Sequence, residues 1–170
     1  MELPESDVIT IARWLAMPDL RLRTFSTVAE EGIDAGYQPL PIVADYLLCR
    51  MIEEGPGCVE DHYQPERKVT DWRFFSRRRK EETVLFSTEG SFFRPFLAHF
   101  AGKCGISPYG GHTRFRVRFD GEEGPCPERF ELFLCNQMET GCWMKVYLYG
   151  IDGVWPFPEM FRNKDQQEMT

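Results

Sequence analysis

Apolar and polar residues alternate most regularly in the C-terminal half of the chain. Between Thr113 and Phe119, three apolar residues alternate with three arginines, which predicts a strand with one apolar and one basic face. Two more alternating stretches, 129–136 and 142–149, follow after short connections. Short connections favour antiparallel pairing, so we predict a three-stranded antiparallel meander.

A helix with an aromatic stripe is predicted just before this meander, from Phe92 to about Cys104. Phe92, Phe96 and Phe100 recur every four residues, which places their rings on one helical face. Ser91 is the predicted N-cap. We expect the stripe to be buried with the apolar faces of the meander; the predicted core set is Phe92, Phe96, Phe100, Phe115, Val117, Phe119, Leu132, Leu134, Val146 and Leu148.

The first half of the chain has a less regular pattern. Apolar residues at helical spacing after Ser6 predict one helix, Pro18 to Glu31 a second, and Pro41 to about Glu54 a third. Residues 58–66 are predicted to form a loop. Two short strands, 69–77 and 83–87, then predict a β-hairpin.

These elements predict one α+β domain over residues 1–161. It would contain an N-terminal three-helix layer, a β-hairpin, an aromatic-rich helix and the C-terminal three-stranded antiparallel meander. The polar tail, residues 162–170, is expected to fray.

Composition narrows the class of protein. A chain of 170 residues that is 42% hydrophobic, with 14 Phe, is too apolar to be disordered. Its net charge of −7 argues against a general nucleic-acid coat protein. The N-terminus lacks the pattern of a signal peptide, and no apolar run is long enough to cross a membrane. We therefore expect a cytoplasmic protein, without a membrane partner, whose six cysteines are reduced.

The charges are segregated along the sequence. Residues 1–60 and 120–170 are acidic, whereas residues 61–119 hold 12 Lys or Arg against 6 Asp or Glu. Two basic clusters account for most of this excess, and we consider both as a binding surface for phosphate or for an acidic protein. One cluster is the hairpin with Trp72, Arg73, Arg77, Arg78, Arg79 and Lys80; the other is the outward ladder Arg114, Arg116 and Arg118. The alternative is internal neutralisation, and for the ladder we expect pairing with Glu131 on the next strand.

Large side chains also project from the outward face of the meander. Trp143, Lys145 and Tyr147 alternate with the predicted core residues, beside Phe133. One interpretation is that the N-terminal helical layer, or the strands of residues 69–87, cover this face. The other is that a partner or a single-stranded nucleic acid stacks on the rings.

Histidine and cysteine give little sign of catalysis or metal binding. A zinc interpretation would take His99, Cys104, His112 and Cys126 as ligands, but the spacing matches no regular finger and no C-x-x-C pair is present. In the alternative, His99 and Cys104 are simply rim and core residues. Cys135 and Cys142 flank a predicted turn, and we do not predict a bond between them. We expect no cofactor.

Three function hypotheses follow. The first is a non-catalytic protein-interaction module, such as an adaptor, inhibitor or small accessory subunit, that uses the basic and aromatic surface. The second is a nucleic-acid-binding accessory protein that contacts phosphates through the hairpin 73–80; the helix 41–54 is unsuited to reading DNA because it carries Arg50 against three acidic residues. The third is a small enzyme or zinc protein that uses His99, Cys104 or His112. The oligomeric state is left open.

Overall fold

An eight-stranded mixed β-sheet forms the framework of the protein in the computed structural model, which describes residues 8–11, 24–25, 39–122, 128–139 and 141–150. Two helices accompany the sheet. The strands are β1 (Val8–Ile11), β2 (Thr24–Phe25), β3 (Gly57–Gln64), β4 (Val69–Ser76), β5 (Glu81–Glu89), β6 (Gly110–Phe119), β7 (Arg129–Gln137) and β8 (Gly141–Leu148). The helices are α1 (Pro39–Glu54) and α2 (Gly90–Lys103).

Two antiparallel meanders make up the sheet, in the order β1-β6-β7-β8-β3-β4-β5-β2. Strands β3 to β5 form one meander and β6 to β8 the other. They join where β3 pairs antiparallel with β8, Val59 opposite Val146. At the two edges, β1 pairs parallel to β6 and β2 parallel to β5. The strands of the predicted hairpin therefore extend the sheet and do not cover the face of the C-terminal meander.

Both helices pack on one face of this sheet, which we call the helix face. Directly paired residues in neighbouring antiparallel strands project from the same face. Val59 and Trp72 on the first meander and Val146 on the second share the helix face and are fully buried. Side chains that alternate with these residues project from the opposite face, called here the outer face.

The predicted core is confirmed almost completely. Nine of its ten residues belong to one buried cluster, and Phe119 is partly buried against that cluster. The rings of Phe92, Phe96 and Phe100 follow one another along α2, with centroids 5.5 and 5.9 Å apart. The aromatic helix and the strands of the predicted hairpin and meander lie close to their predicted bounds. The predicted three-stranded meander is nevertheless wrong as a separate sheet, because β6 to β8 are part of the eight-stranded mixed sheet.

The predicted N-terminal three-helix layer is wrong. The segment Val8–Ile11 is a strand, and its run of β-branched residues fits an extended chain better than a helix. Thr24–Phe25, within the second predicted helix, is also a strand. The third predicted helix is present as α1. The tail predicted to fray, 162–170, lies outside the described residues.

The predicted loop at residues 58–66 is also wrong, because it contains β3. Gly57 begins this strand where a Cβ would lie 2.3 Å from the Phe75 carbonyl oxygen and 2.4 Å from the Phe74 ring. Glycine is thus required here for close packing, although its place after Pro56 indicates a turn in the sequence. Hydrogen-bonded neighbours on both sides hold a strand that is too polar to be recognised by alternation.

Within the described residues, no helix is long and apolar enough to span a bilayer.

Candidate functional site

Four arginines lie together on the outer face of β6 and β7. Arg114, Arg116 and Arg118 alternate with buried apolar residues on β6, and Arg129 lies directly opposite Arg116 at the start of β7. We call these four residues the arginine face. The alternation along β6 was recognisable in the sequence, whereas the position of Arg129 required the strand register.

One buried carboxylate anchors the arginine face. Glu131 is 2% exposed, and its Oε2 accepts a hydrogen bond from Nε of Arg114 at 2.5 Å. The same oxygen lies 3.2 Å from Nε2 of His112, and the hydroxyl of Tyr149 donates to Oε1 at 3.0 Å. Hydrogen bonding to Glu131 raises the pKa of Arg114, and burial together with this carboxylate raises the pKa of Tyr149. The predicted ladder–Glu131 contact is therefore present at Arg114.

The Arg114 side chain nevertheless remains available to a ligand. Its side chain is 66% exposed, and Glu131 bonds only its Nε. The two terminal nitrogens of a guanidinium can each donate to a further carboxylate oxygen. Beside it, the His112 ring stacks on Phe133 with centroids 4.4 Å apart and 15° between the planes, which fixes its orientation.

The aromatic residues predicted on this face are mostly closed to solvent. Tyr147 is fully buried and forms a small cluster with Cys58, against which Phe133 and Tyr149 pack. Lys145 is 6% exposed, with its Nζ 5.8 Å from the ring centroid of the half-buried Trp143. These side chains pack within the outer face. The ring of Tyr147 is not exposed, so a nucleic-acid base cannot stack on it.

The basic hairpin is partly neutralised within the chain. Arg79 pairs with Glu54 at the end of α1 and, at 3.0 Å, with Glu81. These contacts raise the pKa of Arg79 and, although burial opposes the effect, hold the pKa of Glu54 below its ordinary value. Arg78 and Lys80 are exposed at the turn.

The remaining residues predicted in the hairpin cluster are divided between the two faces. Trp72 is fully buried on the helix face, where its ring contacts those of Phe93 and Phe96, so it is not a surface contact. Arg73 and Arg77 are half-buried on or beside the outer face. The hairpin therefore does not present the continuous basic and aromatic surface that the sequence indicates.

A half-buried acid that sequence reasoning missed, Asp61, lies where β3 and β8 stop pairing. The paired register ends at Glu60 and Lys145, and the next residue, Asp61, places its Oδ1 2.8 Å from the backbone nitrogen of Met144, which donates to it. Burial raises the pKa of Asp61 to about 6, against the opposing effect of this hydrogen bond. No local sequence pattern signals this site, because Asp61 and Met144 are 83 positions apart in the sequence.

The zinc interpretation is not supported by the placement of its predicted ligands. His112 projects from the outer face, whereas His99 and Cys104 belong to the α2 region on the helix face. Burial lowers the pKa of His99 and raises the pKa of Cys104 to about 12. Among the described residues, no group of three or more His, Cys, Asp or Glu could hold a metal ion; Cys126 lies outside them.

Cys135 and Cys142 are both free thiols. Cys135 is opposite Trp143 in the register and Cys142 is opposite Asn136, so their side chains project from different faces. This arrangement does not favour a disulfide across the turn.

No protein-family model matches this sequence, and no curated protein matches it. The geometry of the arginine face therefore carries the proposal about function.

Proposed function

We propose that the protein is a protein-interaction module whose arginine face binds an acidic segment of a partner protein. The observation that carries the proposal is the grouping of four arginines on the outer face of β6 and β7, where the Arg114 side chain is 66% exposed. Carboxylates of a partner would bind guanidinium groups on this face.

The balance of charge on these strands supports an acidic ligand. The outward positions of β6 and β7 hold the four arginines of the arginine face, and Glu131 is the one carboxylate among them. The whole chain, by contrast, has a net charge of −7. A basic surface on an acidic protein attracts anionic partners locally, while the rest of the protein repels them and so favours one binding orientation.

The spacing of the arginines suits an extended polypeptide. Alternate residues of a strand lie about 7 Å apart, so Arg114, Arg116 and Arg118 repeat at that interval along β6. An extended acidic segment repeats its own alternate side chains at the same interval. Each guanidinium can then bind one carboxylate, in the bidentate geometry that makes arginine more selective than lysine.

The nucleic-acid alternative receives less support. It relies on the hairpin 73–80, in which Trp72 is buried and Arg79 is paired with two glutamates. The remaining exposed cations of the turn, Arg78 and Lys80, provide a useful control, because they carry the same charge at a different place on the surface.

We expect the double variant Arg116→Glu/Arg129→Glu to bind a fluorescein-labelled polyglutamate peptide at least tenfold more weakly than the wild type. Each reversal replaces an attraction with a repulsion, and a tenfold change corresponds to about 1.4 kcal/mol. The measurement is fluorescence anisotropy at low and moderate salt, where wild-type binding should weaken as salt increases.

The matched control is Arg78→Glu/Lys80→Glu, which makes the same change of net charge and should alter binding less than threefold. Equal losses in the two double variants would contradict the proposal, because they would indicate a general charge effect. Tighter binding of a single-stranded oligonucleotide than of polyglutamate, lost in the hairpin variant, would favour the nucleic-acid alternative.

A further inference from the structure

The turn between β7 and β8 carries an exposed methionine. Met138 is 77% exposed, whereas Met51 and Met144, the other methionines in the described part of the chain, are fully buried in the core. An oxidant dissolved in water must reach a thioether sulfur in order to oxidise it. Of these three side chains, Met138 is therefore the one that such an oxidant can reach in the folded protein.

The sulfur of Met138 lies against a guanidinium group. Its Sδ is 2.7 Å from Nη1 of Arg94, a residue of α2, and Nη1 donates to the sulfur. A thioether sulfur is only a weak acceptor, whereas a guanidinium is a charged donor that bonds strongly to oxygen. The contact would therefore become stronger if the sulfur carried an oxygen atom.

A buried amide fixes the position of this guanidinium. Asn136 is 6% exposed, and its Oδ1 accepts a hydrogen bond from Nε of Arg94 at 3.2 Å. Its Nδ2 donates to the carbonyls of Arg94 and Pro108, at 3.4 and 3.2 Å. The backbone N–H of Asn136 donates to the Tyr109 carbonyl at 3.0 Å. A donor that is held in this way loses little further freedom when a new acceptor binds to it.

We propose that Met138 is a site of oxidation by peroxides and that Arg94 holds the resulting sulfoxide. A lone pair of the sulfur attacks one oxygen of hydrogen peroxide, so that an S–O bond forms and the O–O bond breaks. The sulfur loses two electrons, and the proton of the transferred oxygen passes to the departing hydroxide, which leaves as water. The methionine side chain is flexible and exposed, so it can shift to place the new oxygen against Nη1 of Arg94.

The consequence is a turn that is held more firmly on α2 after oxidation. Oxidation of a core methionine has the opposite effect, because it places a polar group among apolar side chains. Methionine sulfoxide can be reduced again by enzymes that act on it, so the modification is reversible. The inference is independent of the arginine face, since Met138 and Arg94 do not belong to it.

We expect hydrogen peroxide to oxidise Met138 at least ten times faster than Met51 or Met144 in the folded protein. The reaction is stopped with catalase at several times, dithiothreitol restores oxidised thiols, and mass spectrometry of the digested protein measures the sulfoxide at each methionine. Oxidation of Met138 no faster than that of the two buried methionines would overturn the inference.

We expect the backbone amide of Asn136 to exchange its hydrogen at least threefold more slowly after oxidation. This amide opens only when the turn separates from the loop that contains Tyr109, and a stronger Arg94 contact makes that opening rarer. The measurement compares oxidised and reduced protein by amide exchange in ¹H–¹⁵N spectra. Exchange that is unchanged or faster in the oxidised protein would overturn the role of the sulfoxide.

Two variants serve as controls for the exchange measurement. Met138→Leu is treated with peroxide in the same way and should show no slowing, which separates Met138 from other oxidised residues. Arg94→Gln removes the guanidinium, so oxidation should slow exchange less than 1.5-fold. Slowing in either variant equal to that in the wild type would contradict the inference. Circular dichroism checks that both fold, and Met138→Leu alone gives the answer if Arg94→Gln does not.

Discussion

Truncation of Trp72 to alanine is expected to lower the free energy of unfolding by about 3–5 kcal/mol. The Trp72 side chain is fully buried, and its ring centroid lies 5.1 Å from that of Phe96, 5.8 Å from that of Phe93 and 6.2 Å from that of Phe86. Its indole N–H donates to the hydroxyl of Thr88 at 3.0 Å. The variant therefore loses contacts with both α2 and β5, and it leaves a buried hydroxyl without its donor.

Urea denaturation followed by circular dichroism measures this loss. Trp143→Ala is the matched control, because it removes the same side chain from a half-buried position on the outer face and should cost clearly less. A Trp72→Ala variant within 1 kcal/mol of the wild type would contradict the placement of Trp72 in the core.

Replacement of Asp61 by asparagine is expected to stabilise the protein at neutral pH by up to about 3 kcal/mol. Burial raises the pKa of Asp61 to about 6, so above that pH the folded protein must hold a carboxylate that the unfolded chain solvates better. Asparagine is uncharged and can still accept the hydrogen bond from the Met144 backbone nitrogen. The variant thus removes the cost of the charge and keeps the contact.

The pH dependence follows from the direction of this shift. Below about pH 4 the group is protonated in both the folded and the unfolded protein, so it does not affect wild-type stability through its charge. Between about pH 4 and 6 the unfolded chain ionises first, and the wild type loses stability as the pH rises. We therefore expect the difference between Asp61→Asn and wild type to be small at pH 4 and to reach its maximum above pH 7.

Denaturation curves of both proteins between pH 4 and pH 8 provide the test. Asp120→Asn, a change at an exposed carboxylate, should produce no comparable pH-dependent difference. An Asp61→Asn variant that is less stable than the wild type at pH 8 would show that the charged form of Asp61 stabilises the fold, in contradiction to the raised pKa.

The C-terminal half of the fold could be predicted because local pattern and final environment agree there. Phe115 and Val117 are buried and alternate with outward arginines, as an amphipathic strand requires. In α2, Phe92, Phe96 and Phe100 keep helical spacing and meet the sheet. Such segments bury one face only, so hydrophobic periodicity records their structure directly.

The N-terminal part could not be predicted because its sequence fits two periodicities. Val8 and Ile11 are three apart, which fits a helix, but Ile9 and Ile11 are the side chains that the strand buries. Only pairing with β6 selects the strand. The strand β3 likewise depends on partners that are distant in sequence, which outweigh its weak intrinsic preference.

Part of the candidate site could likewise be predicted from local sequence, and part of it could not. The arginines of β6 and their contact with Glu131 follow from alternation and a short connection, both of which are local. The pairing of Arg79 with Glu54 could not be predicted in this way, because the two residues are 25 positions apart. It partly neutralises the hairpin, which the sequence suggested as a binding site. Opposition of Arg116 to Arg129 requires the exact register of the two strands, which alternation alone does not determine.

The most direct test of the proposed function locates the bound peptide on the protein. A ¹H–¹⁵N correlation spectrum is recorded while an unlabelled polyglutamate peptide is added. We predict that the largest shifts fall on the backbone amides of His112, Arg114, Arg116 and Arg129, with little change from Arg77 to Glu81. Shifts centred on that hairpin, or no shifts in β6 and β7 at saturating peptide, would contradict the assignment of the arginine face as the binding surface.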